Sequence, residues 1–352
     1  MEQTFYEPGQ TEDKAIGAPD NVPLTSTEVA ALWNTYIQYT MFACVFKHFN
    51  QTVEDNDIRP IIQNALDIWN KRVSRVREIL NKEDLPIPIG FTDKDVDIKA
   101  PRLYTDPFYL YYLRDMNKFA IAINGLALTT GARADIRDFY THCVNSTMEL
   151  YNDATNTLLS KGLFIRPPYV TIAREVDFVR EQDFLTGFLG EHRPLLAQEV
   201  SALAYGIMTN NVVKSLLMGF RQAARSDQVG KYLERGINLC NKYMEAFSSA
   251  LKQENIPAAI CWDTIVTDST TPPFSDKLMM FKTSYINSAF LVSYTTFFAT
   301  SPRHDLSAIF MKAFTEVADY AQDGLNIMID NGWYEEPART VDRRELLNKP
   351  KH

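Results

Sequence analysis

The sequence contains few of the residues and motifs that indicate a particular chemistry. Of its 352 residues only five are histidine and four are cysteine, and no two cysteines form a Cys-x-x-Cys pair. It also has no Glu-x-x-His motif, no glycine-rich phosphate loop and no nucleophile elbow. Zinc sites, nucleotide-binding loops and serine or cysteine hydrolases therefore have no signal here.

The net charge and the hydrophobic runs argue against two further classes of protein. The formal net charge is −8, whereas proteins that bind nucleic acids or anionic membranes carry basic surfaces. The longest apolar stretch, from about Ile286 to Ala299, contains Asn287 and is too short to span a membrane. The N-terminus lacks the shape of a signal peptide, and four separate cysteines favour reduced, buried thiols. We predict a cytoplasmic protein with no nucleic-acid partner and no membrane span.

What the sequence does contain is an internal repeat. Glu28 is matched by Glu199 and Asn70 by Asn241, both 171 residues later. Further along the chain the separation is 170 residues, so one residue has been lost within the second copy. The pairs with this separation include Asp106 and Asp276, Asn117 and Asn287, Arg133 and Arg303, Asp153 and Asp323, and Gly162 and Gly332. A single gap over so long a stretch indicates a duplicated unit.

The sequence pattern of each copy predicts four helices. Thr25 and Glu28 form a capping box at the start of the first helix, whereas the second copy has Leu196 in place of the threonine. Pro107 suits the first turn of the third helix, and Gly162 suits a left-handed cap after the fourth. The third helix is apolar on nearly all sides, so we predict it to be the most buried helix of each unit. In the first copy the helices begin near Thr25, Asp57, Asp106 and Asp135.

The connections between the helices decide the topology. Short links join helices one and two and helices three and four, which makes each pair antiparallel. Residues 84–105 form a much longer link that can cross the length of the bundle. The predicted fold class is therefore all-α, with two tandem ferritin-like four-helix bundles from an internal duplication. The predicted divisions are an N-terminal arm (1–21), the first bundle (22–164), a linker (165–194), the second bundle (195–338) and a C-terminal tail (339–352).

A ferritin-like bundle raises the hypothesis of a di-iron or di-manganese site. Such a site needs a glutamate from each of two helices and a Glu-x-x-His motif from each of the other two. The motif is missing, and the first helix has no carboxylate between Glu28 and Glu54. We therefore predict no metal, no cofactor and no catalytic residue.

Several polar and aromatic positions remain as candidates. His48 lies in the apolar stripe of the first helix, which favours a core histidine over a ligand. His142 and Glu149 are seven residues apart on one helix face and could share a ligand, or simply face solvent. Arg133 and Arg303 precede the fourth helices, where they could clamp an anion or bond to a neighbouring carboxylate or carbonyl. The aromatic residues between positions 104 and 112 are typical of core packing, with a ligand pocket as the alternative.

The N-terminal arm is the remaining candidate for an interaction. It has no periodic apolar pattern and is rich in glycine, proline and charge, so it should not fold alone. Phe5 and Tyr6 are its aromatic anchors. We predict that they dock the arm in a groove of its own bundles or of a neighbouring subunit in a homo-oligomer.

Four segments carry a resemblance to a known family. They are LPIPIGFTDKDVDIKAPRLYTDPFYLYYL, GLFIRPP, WDTIVTDSTTPPFSDKLMM and IMIDNGWYEEP. Through them the chain, from about Val22 to Asn348, resembles domain of unknown function family 3231 of spore-forming bacteria. The resemblance implies a pair of ferritin-like bundles and supplies no catalytic residue.

The sequence thus leaves three functions open. We predict a non-catalytic structural or interaction protein that self-associates and is linked to sporulation or stress, cytoplasmic or associated with spores. Binding of a small molecule or lipid between the helices is the first alternative. An unconventional metalloenzyme is the second. The identity of a ligand does not follow from the sequence.

Overall fold

The computed structural model describes residues 22–172, 174–188, 193–258, 265–340 and 342–344. Its long helices are α1 (Ser26–Thr52), α2 (Arg59–Lys82), α3 (Asp106–Thr130), α4 (Ala134–Ser160), α5 (Ala197–Ala223), α6 (Asp227–Gln253), α7 (Asp276–Thr300) and α8 (His304–Asp330). Two short 3-10 turns lie at Asp93–Asp95 and Gln182–Leu185. Within the described ranges no strand is longer than an isolated bridge. The prediction of an all-α fold with two tandem four-helix units is confirmed.

Each unit consists of two helical hairpins. In the first unit α1 packs along α2 and α3 along α4, and in the second α5 packs along α6 and α7 along α8. Turns of a few residues join the helices of each hairpin, which makes them antiparallel. A crossover, residues 83–105 in the first unit and 254–275 in the second, connects the two hairpins.

The helix ends follow the capping signals in the sequence. Glu28 accepts a hydrogen bond from the Thr25 amide at 2.7 Å, and the Thr25 hydroxyl accepts one from the Glu28 amide. Leu196 has no hydroxyl to offer, yet Glu199 still accepts the Leu196 amide at 2.8 Å, so only half of this box is lost. The glycines that follow α4 and α8 have φ angles of +68° and +65°, as a left-handed cap requires.

The two crossovers pair with each other across a pseudo-twofold axis. Val96 bridges Phe274, and Tyr104 bridges Val266, both in antiparallel sense. Given the 170-residue offset, the second bridge is the first with the units exchanged. The backbone hydrogen bonds follow the same exchange. The Asp97 amide donates to the Pro273 carbonyl, and the Thr267 amide donates to the Leu103 carbonyl, at 2.8 Å each. The Thr105 amide donates to the Ile265 carbonyl at 2.9 Å, and the Ser275 amide donates to the Asp95 carbonyl at 3.0 Å. The interface between the units is therefore itself built from the repeat.

The hydrophobic core runs without a break from one unit into the other. The prediction that helix three is the most buried helix of each unit is wrong. In the first unit 16 of the 27 residues of α1 are buried, but only 14 of the 25 residues of α3. In the second unit 19 of the 27 residues of α5 are buried, but only 10 of the 25 residues of α7. The N-terminal halves of α3 and α7 lie at the interface between the units, and Phe119, just past the middle of α3, packs against Tyr285 with ring centres 5.1 Å apart. Their C-terminal halves leave Leu126 and Val292 at least half exposed.

Candidate functional site at the unit interface and linker

The histidines proposed as ligands do not form a metal site. His48 is buried, its Nε2 lies 3.0 Å from the Ala100 carbonyl oxygen, and its ring packs edge-on against Phe274. Burial lowers the pKa of His48, so the ring is neutral near pH 7. His142 and Glu149 are exposed. In the described parts of the chain no three His, Cys, Asp or Glu side chains lie close enough together to hold a metal.

The two arginines that precede the fourth helices bind neighbouring carboxylates. Arg133 donates two hydrogen bonds to Asp135, at 3.0 and 2.8 Å, and one to Glu83 at 2.6 Å. Its counterpart Arg303 repeats the arrangement with the two equivalent carboxylates at 2.9 Å each. Of the alternatives that the sequence left open for these arginines, the structure shows bonding to neighbouring carboxylates. Both guanidinium groups join the start of a fourth helix to the end of a second helix.

Sequence reasoning missed Lys282, a fully buried lysine at the interface between the units. Its Nζ lies 4.7, 4.6 and 5.0 Å from the ring centres of Phe42, Tyr112 and Tyr285, and it also contacts the Met116 sulfur. No carboxylate in the described part of the chain pairs with it, and burial lowers its pKa well below the usual range. The signal was present in the repeat, because Lys282 occupies the position of Tyr112.

Arg72 is a second buried cation that periodicity alone did not reveal. Its guanidinium donates to the Tyr39 hydroxyl, the Cys143 carbonyl and the Ser146 hydroxyl, each at 2.7 Å. Neutral oxygens thus take the place of water around this charge. The second unit has Tyr243 at the equivalent position. Both Arg72 and Lys282 therefore lie at positions where the other unit has a tyrosine.

The aromatic residues at the start of α3 belong to the core. Tyr109 stacks on Phe49 at 4.0 Å, and Tyr104 stacks on Phe108 at 4.1 Å. All four rings are essentially inaccessible to solvent. They contribute to the shared core of the two units, so the packing alternative holds for these rings.

The cysteines in the described residues are structural. Cys44, Cys143 and Cys240 are buried and unpaired. Burial raises their pKa to about 12, 11 and 12, so they remain thiols and are poor nucleophiles. Cys261 lies outside the described residues.

The linker between α4 and α5 exposes a set of large apolar side chains. We call Tyr169, Ile172, Val176, Phe178, Val179 and Phe188 the linker apolar residues; they are between 61% and 95% exposed. After α8, where the repeat places the corresponding segment, Arg339 stands for Tyr169 and Asp342 for Ile172. The packing of a unit therefore does not require apolar residues here. Large apolar side chains exposed in one contiguous patch mark an interaction surface, and this linker supplies six of them within a short stretch of chain.

Two remaining site predictions are Phe5 and Tyr6 of the N-terminal arm. Both lie outside the described residues. Their contacts stay a prediction.

A protein-family model matches both halves of the chain. The family model described as "Protein of unknown function (DUF3231)" matches residues 14–176 and 183–346. The chain belongs to this family. Its two matches follow each other as the two units do, which confirms the resemblance of the sequence segments and the duplication. The family description assigns no biochemical activity.

Other comparisons add little. A solved structure of a Bacillus halodurans protein, provisionally described as a spore coat protein, is 15% identical, with a TM-score of 0.38. The match covers 43% of this chain and 98% of that one. A similarity at this level says nothing about what this chain does. No curated protein matches the chain. Among the helices described above, none is long and apolar enough to cross a membrane.

Proposed function

We propose that this chain is a non-catalytic interaction protein that self-associates through the linker apolar residues. The observation that carries the proposal is their exposure, which reaches 95% for Val176 and 81% for Phe178. Burying one such side chain completely contributes roughly 1.5–3 kcal/mol. Six of them in one linker represent a driving force for association that the packing of a single chain leaves unused.

The partner we propose is a second copy of the chain. Within the linker Arg174 and Arg180 flank Glu175 and Asp177, and Arg180 lies 3.8 Å from Asp177. A basic or an acidic partner would be matched by charges of one sign. A segment with both signs side by side can instead pair with its own copy in an antiparallel, twofold arrangement.

The non-catalytic part of the proposal rests on how the candidate polar groups are used. Arg133 and Arg303 bind structural carboxylates, and His48 bonds to a backbone carbonyl in the core. We also propose a ferritin-like arrangement in which a linker at residues 165–194 separates the two bundles; the order of the helices and the long crossover support it. The proposed setting is the cytoplasm, with a link to sporulation or stress. Immunoblots of cell and spore fractions before and after sporulation would test that setting.

A triple substitution of the linker tests self-association. The variant Ile172→Ser, Val176→Ser, Phe178→Ser removes apolar area without touching a helix. If the linker mediates assembly, light scattering will show the oligomer of the wild type and a mass near that of one chain for the variant. The effect should hold at micromolar concentrations, where weak contacts dissociate.

The matched control removes exposed apolar side chains from helices. The control variant is Leu159→Ser, Met311→Ser, Ile329→Ser, whose residues are 41%, 41% and 55% exposed. It should keep the wild-type mass. The proposal fails if the wild type is already monomeric, or if the linker variant and the control have the same mass.

A further inference from the structure

A groove of about 550 Å³ lies between the two units, to one side of the pseudo-twofold axis. Its walls come from α1 and α3 of the first unit and α7 of the second, and Tyr334 after α8 also lines it. Volumes of this size are typical of sites for small organic ligands.

We call the equivalent place on the other side of the axis the filled side, because larger side chains occupy three of its positions. There Tyr205 and Phe297 pack edge to face at 5.4 Å, at the positions of Asn34 and Ala127 in the groove. The Lys118 ammonium nitrogen lies 4.7 Å from the centre of the Tyr205 ring, and the groove has Ser288 at the position equivalent to Lys118. At these three positions the groove has the smaller residue.

The two sides also differ in charge. On the filled side Asp115 pairs with Arg114 at 3.3 Å and with Lys118 at 2.6 Å. The groove has Ser284 in place of Arg114 and Tyr285 in place of Asp115, and none of its lining residues is charged. A charged ligand would find no counter-ion there, so the groove favours an uncharged one.

Polar groups in the lining of the groove add a second requirement. Asn34 and Ser288 are exposed lining residues whose side chains can bond to an uncharged head group. The hydroxyls of Tyr285 and Ser284 have no hydrogen-bond partner among the described residues, but they are inaccessible to solvent, so a ligand reaches them only if these side chains turn. Ile123 and Leu126 offer apolar surface in the same groove.

We propose that this groove binds a neutral amphiphile, a molecule with one apolar chain and an uncharged head group that accepts hydrogen bonds. The chain lies against Ile123 and Leu126, and the head group faces Asn34 and Ser288. A monoacylglycerol has this chemistry. The site is separate from the linker apolar residues, so the groove and self-association can fail independently.

The test is calorimetric titration with monolauroylglycerol below its micellar concentration. The double variant Asn34→Tyr, Ala127→Phe rebuilds the filled side inside the groove and should weaken binding at least about tenfold. Ala122→Phe adds the same ring on an exposed face of α3 outside the groove and should leave the affinity unchanged. If the double variant has a lowered melting temperature, Ser288→Lys replaces it in the test. This variant changes an exposed position, introduces the charge that Lys118 carries on the filled side, and should weaken binding in the same way.

Charged probes test the ligand class. Dodecanoate and dodecyltrimethylammonium carry a chain of similar length with a negative or a positive head group. Each should bind at least about tenfold more weakly than monolauroylglycerol. The proposal is overturned if the wild type does not bind monolauroylglycerol, if the groove-filling variants bind it as well as the wild type does, or if either charged probe binds as tightly.

Discussion

The ammonium nitrogen of Lys282 lies 4.6 Å from the centre of the Tyr112 ring, and these two residues hold equivalent positions in the two units. Equivalent residues meet where a twofold axis passes, so this pair marks the pseudo-axis. Two tyrosines here would bring two phenol rings together. The lysine instead places an amine beside the aromatic rings, and burial lowers its pKa well below the usual range. The centre of the interface is thus one of the places where the two copies have diverged.

Replacing Lys282 by methionine should raise stability and remove a pH dependence. The pKa of Lys282 is lowered in the folded chain, so the unfolded chain binds a proton there that the folded chain does not. Stability therefore rises with pH below the ordinary lysine pKa, by at most about 1.4 kcal/mol per pH unit. Urea unfolding at about pH 7 and about pH 8 should show this rise in the wild type and a smaller one in Lys282→Met. The thiols of the unfolded chain, with an ordinary pKa of about 8.5, begin to ionise near pH 8, but they do so equally in both proteins, so the difference between the two slopes reports Lys282. Equal slopes in both proteins would show that Lys282 stays charged when buried.

A second asymmetric pair involves Gly219, the counterpart of His48. A Cβ atom at Gly219 would lie 2.5 Å from two atoms of the Tyr104 ring and hydroxyl, and that hydroxyl donates to the Leu216 carbonyl at 2.6 Å. Gly219→Ala should therefore lower the free energy of unfolding by about 1–3 kcal/mol. Gly125→Ala is the matched control because nothing lies within 4 Å of the added atom. It should be neutral, or stabilising by up to about 1 kcal/mol. Similar effects of the two changes in urea unfolding would contradict this account.

The features that the sequence predicted correctly are local or repeated. A capping box, a proline in a first turn and a glycine after a helix act within a few residues, so Thr25, Pro107 and Gly162 could be assigned without a structure. The duplication was visible because both copies are present in one chain. Partners across the bundle are a different matter, since periodicity does not say which residues meet.

An exchanged pair shows this limit. The Asn124 amide donates to the Tyr39 hydroxyl at 3.0 Å in the first unit, and the Asn210 amide donates to the Tyr294 hydroxyl at 3.0 Å in the second. The same hydrogen bond is kept with tyrosine and asparagine exchanged between helices. Comparing the copies position by position shows two unrelated substitutions, and only the structure shows that they compensate. The groove escaped prediction for the same reason, because it depends on three small residues from three helices.

The N-terminal arm gives a prediction that is independent of the linker. Phe5 and Tyr6 are proposed to dock the arm on its own chain or on a neighbouring subunit. The double variant Phe5→Ala, Tyr6→Ala should then lower the melting temperature if the contact is within one chain. If the contact is between chains, the mass seen by light scattering should fall while the helical content stays the same. An unchanged mass together with an unchanged melting temperature would show that these side chains make no contact of consequence.

Glu199 joins the starts of two helices in the second unit. Its carboxylate accepts two hydrogen bonds from Arg193 at 2.8 Å, one from the Leu196 amide at 2.8 Å and one from the Arg303 amide at 3.2 Å. Burial acts to raise the pKa of Glu199, but the hydrogen bonds from Arg193 and the two amides outweigh it, and the pKa is lowered. Folding therefore favours the charged form.

The sign of the pH effect follows from this lowered pKa. The stabilisation is present above the ordinary glutamate pKa of about 4.3 and is lost as the pH falls through the lower value of the folded chain. Glu199→Gln should cost about 1–3 kcal/mol near pH 7, because a charge-assisted network loses its acceptor and Arg193 loses its counter-ion. The variant should also lose less further stability than the wild type on acidification. Glu149→Gln, at an exposed position of α4, is the control and should match the wild type in both respects. Parallel urea-unfolding curves for Glu199→Gln and Glu149→Gln at neutral and acidic pH would contradict this account.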